Sequence, residues 1–205
     1  IPMAGYLPAQ GPGFGWPVGS RSWVNPSPNA ASLNMVRCYP GTVMLEGTQL
    51  SEARGTTIPL ESFGAPGLDT LAILKAMKAI EPRWMEGCAL RPCHFLPMFQ
   101  KHAGQLCSGI QIHVDTDAYD PTRFKPYRLL ALAFKAIRQV HPAFELWRDF
   151  PYEYENERLA IDLINGGPGL REWVDSPAAA ARDFDRALEK DEHAWRESTR
   201  EFLIY

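Results

Sequence analysis

The densest group of residues able to do chemistry lies in one stretch, from Tyr39 to Thr57. It contains two carboxylates, one guanidinium, several hydroxyls and three glycines. A polar stretch of this kind is costly to fold unless its groups bind a ligand or one another. Arg54 can hold a carboxylate through two parallel hydrogen bonds, and a glutamate can act as an acid, a base or an acceptor for sugar hydroxyls. The stretch therefore predicts a polar ligand site with Glu46 and Glu52 as catalytic residues and Arg54 as a binding residue.

The same stretch has a second interpretation that needs no ligand. Glu52 can pair with Arg54, two positions further along the chain, and the threonines can close turns through their hydroxyls. Both interpretations stay open, because spacing alone does not tell whether the charges face a ligand or each other.

Four further polar residues are predicted to bind substrate. Ser27 lies between two prolines, which restrict the backbone on both sides, and Asn29 follows the second of them. An ordinary turn is the alternative at this point. Thr48 and Thr56 belong to the polar stretch. The residues of this stretch predict neither a bound metal ion nor an organic cofactor.

His113 is the last predicted substrate-binding residue. A strand predicted at 106–115 directs it to the polar face, together with Gln111 and Asp115. A histidine held in the structure by hydrogen bonds is the alternative.

Apolar periodicity predicts the elements that must position these groups. Strands are expected at about 58–63, 89–99 and 106–115, and helices at 68–80, 120–140, near 157–164, around 170–174 and from 176 to the C-terminus. Residues 1–30 are expected to form an extended arm rich in proline and glycine, residues 31–57 to be turn-rich, and the loop 151–157 to be solvated. The fold class is α/β or α+β, with a mixed sheet covered by helices and a long C-terminal helix.

Composition excludes several functional classes. The 205 residues carry 21 Lys+Arg against 24 Asp+Glu, and the basic residues do not cluster as they do in nucleic-acid binders. No apolar run approaches the roughly 20 residues of a membrane span. Hydrophobic residues make up 45% of the chain, which is typical of a packed domain and not of a disordered one.

The four cysteines do not predict a metal site, since none forms a Cys-x-x-Cys pair. Buried thiols are one interpretation. A disulfide, Cys88–Cys93 or Cys93–Cys107, is the other, in an oxidising compartment.

Several motifs resemble one known family, the exo-β-N-acetylmuramidases of the NamZ type. They are Pro26-Ser-Pro-Asn29, Tyr39-Pro-Gly-Thr42, Glu46-Gly-Thr48, Ser51, Arg54-Gly-Thr56, Gly64-Ala-Pro66, Phe95-x-Pro97-x-Phe99, Cys107-x-Gly109-x-Gln-x-His113-Val114 and Phe202-Leu-Ile-Tyr205. Three positions depart from the family pattern, which usually has Gly where this chain has Ala53, often Cys at Val43 and often Trp at Gly67.

The resemblance implies a two-part bacterial protein that removes terminal N-acetylmuramic acid from the non-reducing end of peptidoglycan fragments, in cell-wall turnover and recycling. An N-terminal Rossmann-like domain, absent from this chain, would be its partner, and residues 31–205 would be the C-terminal domain beside the cleft. The resemblance implies a periplasmic or secreted location, with a cytoplasmic one left open.

The resemblance also assigns roles to the polar residues. Arg54 suits the lactyl carboxylate of muramic acid, and Ser27, Asn29 and the region of Glu46 suit its acetamido and hydroxyl groups. The expected function is the substrate-binding portion of this glycoside hydrolase. One alternative is a non-catalytic binding module for muropeptides or other anionic sugars, and a weaker one is a structural domain that binds a partner through its arm.

Overall fold

A computed structural model describes residues 22–203 of the chain. Its sheet has three strands, β1 (Ser62–Ala65), β2 (Ala89–Phe95) and β3 (Cys107–His113), in the order β1-β3-β2. Both strand pairs are antiparallel, so the sheet is not mixed and the class is α+β. The predicted combination of a sheet with helices and a long C-terminal helix is confirmed.

The core of the larger unit, Val24–Pro177, is built around α3 (Pro126–Val140). Eight consecutive or nearly consecutive side chains of this helix are buried, from Leu129 to Ile137, so α3 is apolar around most of its circumference. It packs against α1 (Leu33–Thr42), α2 (Thr70–Ile80) and α5 (Gly169–Asp175). A helix buried on several sides is expected to show this continuous apolar pattern rather than one stripe.

The prediction that residues 31–57 are turn-rich is wrong for their first half. Ser32 accepts a hydrogen bond from the Met35 N–H at 3.0 Å and so caps α1, which continues into a short 3₁₀ helix at Val43–Gly47. Gly41 lies inside α1 and does not terminate it. A Cβ at this position would collide with the backbone of Pro126 at the start of α3. The glycine therefore serves the close approach of two helices.

The other predicted elements are present, with some boundaries moved. The helix α2 begins at Thr70, where the Asp69 side chain caps it. The helix α3 begins later than predicted, because the Asp120 carboxylate accepts from the Thr122 N–H and closes a turn instead. The helices α4 (Ala160–Asn165) and α5 lie near the predicted positions, and a 3₁₀ turn at Pro82–Met85 precedes β2.

The second unit contains, among the described residues, the C-terminal segment with α6 (Ala181–Thr199) and a 3₁₀ turn at Arg200–Phe202. This helix begins after the predicted Ser176-Pro177 start. The predicted apolar stripe is wrong at its C-terminal end, since Trp195 is 70% exposed and Phe202 is 74% exposed. Charged residues flank Trp195 in α6 and Phe202 in the 3₁₀ turn, so the exposed end stays polar overall.

The predicted arm lies mostly outside the described residues, as do residues 204 and 205. Residues 22–30, which are described, contain no helix or strand, as their composition predicts. No described helix is long and apolar enough to cross a membrane.

All four cysteines are free thiols, which excludes the alternative of a disulfide in this structure. Cys38 is completely buried, and burial raises the pKa of its thiol above the ordinary value. Burial also raises the pKa of the Cys88 and Cys107 thiols to about 11. The thiols therefore stay protonated and unreactive at neutral pH.

Close contact between strands gives a stability prediction at Gly109. It lies opposite Gly64 in the β1–β3 pair, and a Cβ at Gly109 would overlap the carbonyl oxygen of Phe63. We expect Gly109→Ala to lower the free energy of unfolding by about 1–3 kcal/mol, because the backbone cannot move aside without breaking the pair. Urea unfolding measures this change.

The matched control is Gly167→Ala, where an added Cβ meets no atom within 4 Å. We expect a change within about 0.5 kcal/mol for this variant. Equal stability losses in the two variants would contradict the close strand contact.

Candidate functional site

Glu46, Glu52 and Arg54 form one ion-pair cluster. Arg54 Nε donates to Glu52 Oε1 at 2.5 Å, and Arg54 Nη2 donates to Glu46 Oε1 at 3.1 Å. The guanidinium thus bridges the two predicted catalytic carboxylates. The Glu52 side chain is 2% exposed and that of Glu46 is 32% exposed. Only Glu46 therefore presents a substantial carboxylate surface outside the cluster.

Lys101 contacts the second carboxylate oxygen of Glu52, the one that Arg54 does not contact. The ammonium Nζ lies 2.9 Å from Glu52 Oε2 and donates to the carbonyl oxygens of Leu45 at 2.6 Å and Thr48 at 3.1 Å. Burial alone raises the pKa of the Glu52 carboxyl, but Lys101 and Arg54 outweigh it, and the pKa lies below its ordinary value. Glu52 is therefore a buried, ionised carboxylate with both oxygens paired.

The backbone around Glu52 is held by the edge of the sheet. The Ser51 N–H donates to the Gly64 carbonyl at 2.8 Å, and the Gly64 N–H donates back at 3.0 Å, so this stretch pairs with β1. The buried Ala53 has a φ of 58°, in the left-handed region that non-glycine residues rarely adopt. The chain therefore turns sharply between the two charged residues that Ala53 separates.

The loop that joins β2 to β3 brings Lys101 to the cluster. It is tied down on both sides of Lys101. The Met98 N–H donates to the Arg54 carbonyl at 3.0 Å, and a ring nitrogen of His102 hydrogen-bonds the Gln49 carbonyl at 2.7 Å. The loop is consequently held beside the cluster by hydrogen bonds other than those of the Lys101 ammonium.

Two cavities meet at this cluster and share Glu46 and Arg54 in their walls. The first has a volume of about 300 Å³ and is lined by Ser27, Asn29 and Tyr39 together with apolar side chains of α1. It therefore combines hydrogen-bonding groups, an aromatic ring and an apolar floor, which is the usual composition of a small-molecule site.

The second cavity has a volume of about 150 Å³ and is more strongly charged. Its wall consists of Glu46, Glu52, Arg54, Gln100, Lys101, Arg148, Phe150 and Tyr152. The Tyr152 hydroxyl donates to Glu46 Oε2 at 3.2 Å. Burial and the nearby negative charge of Glu46 raise the pKa of Tyr152, so the phenol stays a hydrogen-bond donor.

The family model for the C-terminal part of exo-β-N-acetylmuramidase NamZ matches residues 37–205. The chain belongs to this family. The peptidoglycan β-N-acetylmuramidase NamZ of Bacillus subtilis (strain 168) is 27% identical to it over 183 residues. That alignment covers 89% of this chain and 40% of the relative.

Two crystal structures of DUF1343 family proteins from Bacteroides fragilis NCTC 9343 have the same fold as this chain. One is 20% identical to this chain, with a TM-score of 0.69. The match covers 89% of this chain and 45% of the chain in that crystal structure. The other is 18% identical with a TM-score of 0.56, and the corresponding shares are 88% and 43%. The chain thus spans less than half the length of these relatives.

Two of the hydroxyls that were predicted to bind substrate form hydrogen bonds within the chain instead. The Thr48 hydroxyl donates to the Leu45 carbonyl at 2.9 Å, and the Thr56 hydroxyl donates to the Ala53 carbonyl at 2.7 Å. Thr48 is also completely buried. Neither threonine lines the two cavities, and the interpretation that they close turns describes their contacts.

His113 also lies outside the walls of the two cavities. Its Nε2 accepts from Arg91 Nε at 3.3 Å, and its Nδ1 lies 3.9 Å from the Asp115 carboxylate. Ser27 and Asn29, by contrast, line the first cavity, although the Ala30 N–H donates to the Ser27 carbonyl as in an ordinary turn. The substrate-binding roles of all these residues stay predictions.

Sequence reasoning missed several residues that line the second cavity. Lys101 and Arg148 lie 44 and 91 positions beyond the end of the polar stretch at Thr57, and no local pattern marks them. The loop 151–157 was expected to be solvated, which is wrong for Tyr152 because its hydroxyl reaches Glu46. Alternation of aromatic and acidic residues in that loop was the one available signal. Among residues 22–203, no group of three metal-binding side chains comes together.

The buried pair of Lys101 and Glu52 gives a prediction for Lys101→Met. This variant leaves the Glu52 carboxylate without one of its two cationic partners in a buried position. We expect the free energy of unfolding to fall by about 3–5 kcal/mol. The exposed Lys75→Met in α2 is the control and should change it by less than about 0.5 kcal/mol. Equal urea midpoints for the two variants would contradict this role of Lys101.

The lowered pKa of Glu52 predicts a pH dependence. A carboxylate with a depressed folded-state pKa stabilises the fold above its ordinary pKa, here 4.5, and loses that contribution as the pH falls through the folded-state value. The stability difference between the wild type and Glu52→Gln should therefore be largest at neutral pH and shrink under acid conditions. Urea unfolding of both proteins across the acid range measures it, and a difference independent of pH would contradict an ionised Glu52.

Proposed function

We propose that this chain is the substrate-binding portion of an exo-acting glycoside hydrolase that releases terminal N-acetylmuramic acid from the non-reducing end of peptidoglycan fragments. The observation that carries the proposal is the shared wall of the two cavities. Glu46 and Arg54 face both of them, in a chain whose family is that of NamZ C-terminal domains.

The first cavity has the groups that a sugar needs. Glu46 accepts one hydrogen bond from Arg54 and one from Tyr152, and its remaining lone pairs can accept sugar hydroxyls. Asn29 and Ser27 offer an amide and a hydroxyl for an acetamido group. The half-exposed Tyr39 ring provides a flat apolar surface beside them, on which a sugar ring can lie.

The surroundings of Glu46 and Glu52 favour a role in substrate binding over a role as the two carboxyl groups of catalysis. Glycoside hydrolysis generally uses two carboxyl groups, one on each side of the scissile bond. Glu52 is buried and both of its oxygens are paired, which favours a positioning role in which it holds Arg54. Glu46 alone remains as a carboxylate that can contact substrate in these two cavities.

The second carboxyl group of the reaction would then come from the part of the protein that the relatives have and this chain lacks. The chain spans 40% of the Bacillus subtilis muramidase. An N-terminal Rossmann-like domain beside the first cavity is the partner that we propose. We also propose a periplasmic or secreted location and a role in cell-wall recycling, since peptidoglycan fragments are the proposed substrate.

A non-catalytic binding module for muropeptides or other anionic sugars is the second candidate function. The burial of Glu52 favours it, because a single accessible carboxylate is enough to bind a sugar and too few for the usual hydrolysis. The two candidates differ in whether the gene product that contains this chain cleaves a glycoside.

The deciding experiment measures release of a chromogenic aglycone from an N-acetylmuramic acid glycoside. We expect release by the gene product that contains this chain and none by the 205 residues alone. In the gene product, Glu46→Gln should lower kcat/KM by about tenfold or more, because it removes a charged hydrogen-bond acceptor for the substrate.

Glu189→Gln, at an exposed position of α6, is the control and should leave kcat/KM unchanged. Release by the 205 residues alone would place both carboxyl groups in this chain and overturn the proposed division. No release by either form, together with binding of the sugar, would favour the binding module.

A further inference from the structure

We infer that Arg148 forms a subsite for a carboxylate on the sugar ligand, within the second cavity. This inference rests on the proposed function, since it names the group that distinguishes muramic acid from neutral amino sugars. It reassigns to Arg148 the role that the sequence suggested for Arg54.

The first argument is the pairing of charges around the cavity. Three cations and two carboxylates line it. Arg54 is engaged by both Glu46 and Glu52, and Lys101 is engaged by Glu52. Among the described residues, Arg148 has no carboxylate within ion-pair distance, so its charge is available to a ligand.

The second argument is that the backbone fixes Arg148 beside Glu46. The Arg148 N–H donates to the Gly47 carbonyl at 3.0 Å, and the Gln49 N–H donates to the Leu146 carbonyl at 2.8 Å. An antiparallel bridge between Thr48 and Trp147 lies between these two bonds. Arg148 is therefore held next to the turn that carries Glu46.

The third argument is the orientation of the guanidinium. Its carbon lies 3.9 Å from the centroid of the Phe150 ring, so the side chain rests over that aromatic face. Stacking of this kind uses the face of the guanidinium and leaves its N–H groups free at the edge. Those groups can meet a carboxylate in a bidentate arrangement, which a lysine cannot reproduce.

The negative charge of Glu46 does not prevent an anion from binding here. Arg54 and the Tyr152 hydroxyl each donate to one of its oxygens. Gln100, from the β2–β3 loop, adds a neutral amide to the wall. A ligand whose hydroxyls face Glu46 can consequently place its carboxylate against Arg148, and the lactyl ether of N-acetylmuramic acid carries such a carboxylate.

The test compares N-acetylmuramic acid with its methyl ester, which differs from the acid by one added methyl group and by the loss of the charge. Affinities of the 205-residue chain for both are measured by NMR titration. We expect the wild type to bind the acid about tenfold or more tightly than the ester. Arg148→Gln should reduce this ratio to about one and leave the affinity for the ester unchanged.

Arg123→Gln is the control because it removes the same charge from an exposed arginine outside both cavities. It should retain the wild-type preference for the acid. Arg148→Lys should recover only part of that preference, since it restores the charge without the bidentate geometry.

Each other outcome overturns a specific statement. A preference for the acid that survives Arg148→Gln would overturn the subsite, as would equal loss of both ligands, which indicates a structural role. Equal binding of acid and ester by the wild type would overturn the subsite and leave the proposed function standing. Failure of the wild type to bind either sugar would overturn substrate binding by this chain and the subsite with it.

Discussion

The buried ion pair between Lys101 and Glu52 is the interaction on which the site depends. Taking two charges out of water costs several kcal/mol per ion, and the pair persists only where geometry and further hydrogen bonds compensate. Here the ammonium has three oxygen acceptors and the carboxylate has two cationic partners. The pair thereby ties the β2–β3 loop to two parts of the polar stretch, the turn after α1 and the segment around Glu52.

Arg54 connects this buried pair to the accessible surface. Its Nε donates to Glu52 and its Nη2 donates to Glu46, so the buried carboxylate orients the accessible one through Arg54. The two alternative interpretations of the polar stretch are therefore compatible. Its charges satisfy one another, and the same arrangement leaves Glu46 in the walls of two cavities.

Local rules predicted those elements that are themselves determined locally. The helix α2 has an apolar stripe and an aspartate cap, and Ile110, Ile112 and Val114 alternate with polar residues in and just after β3, so both elements lie close to where periodicity puts them. The rule failed at Pro40-Gly41-Thr42. Proline and glycine usually mark turns, but here Pro40 and Gly41 lie inside α1, and the absence of a Cβ at Gly41 allows α3 to approach closely at Pro126.

The sequence by itself determined the family, the combination of a sheet with helices and the stretch that carries Glu46, Glu52 and Arg54, because each of these depends on residue type and short spacing. Only the structure decided that both strand pairs are antiparallel. Only the tertiary structure decided which of the carboxylates is buried and which groups complete the cavity. Lys101, Arg148 and Tyr152 reach the cluster through a loop and a bridged segment. Their arrival depends on how the elements pack, and no local pattern in the sequence encodes that packing.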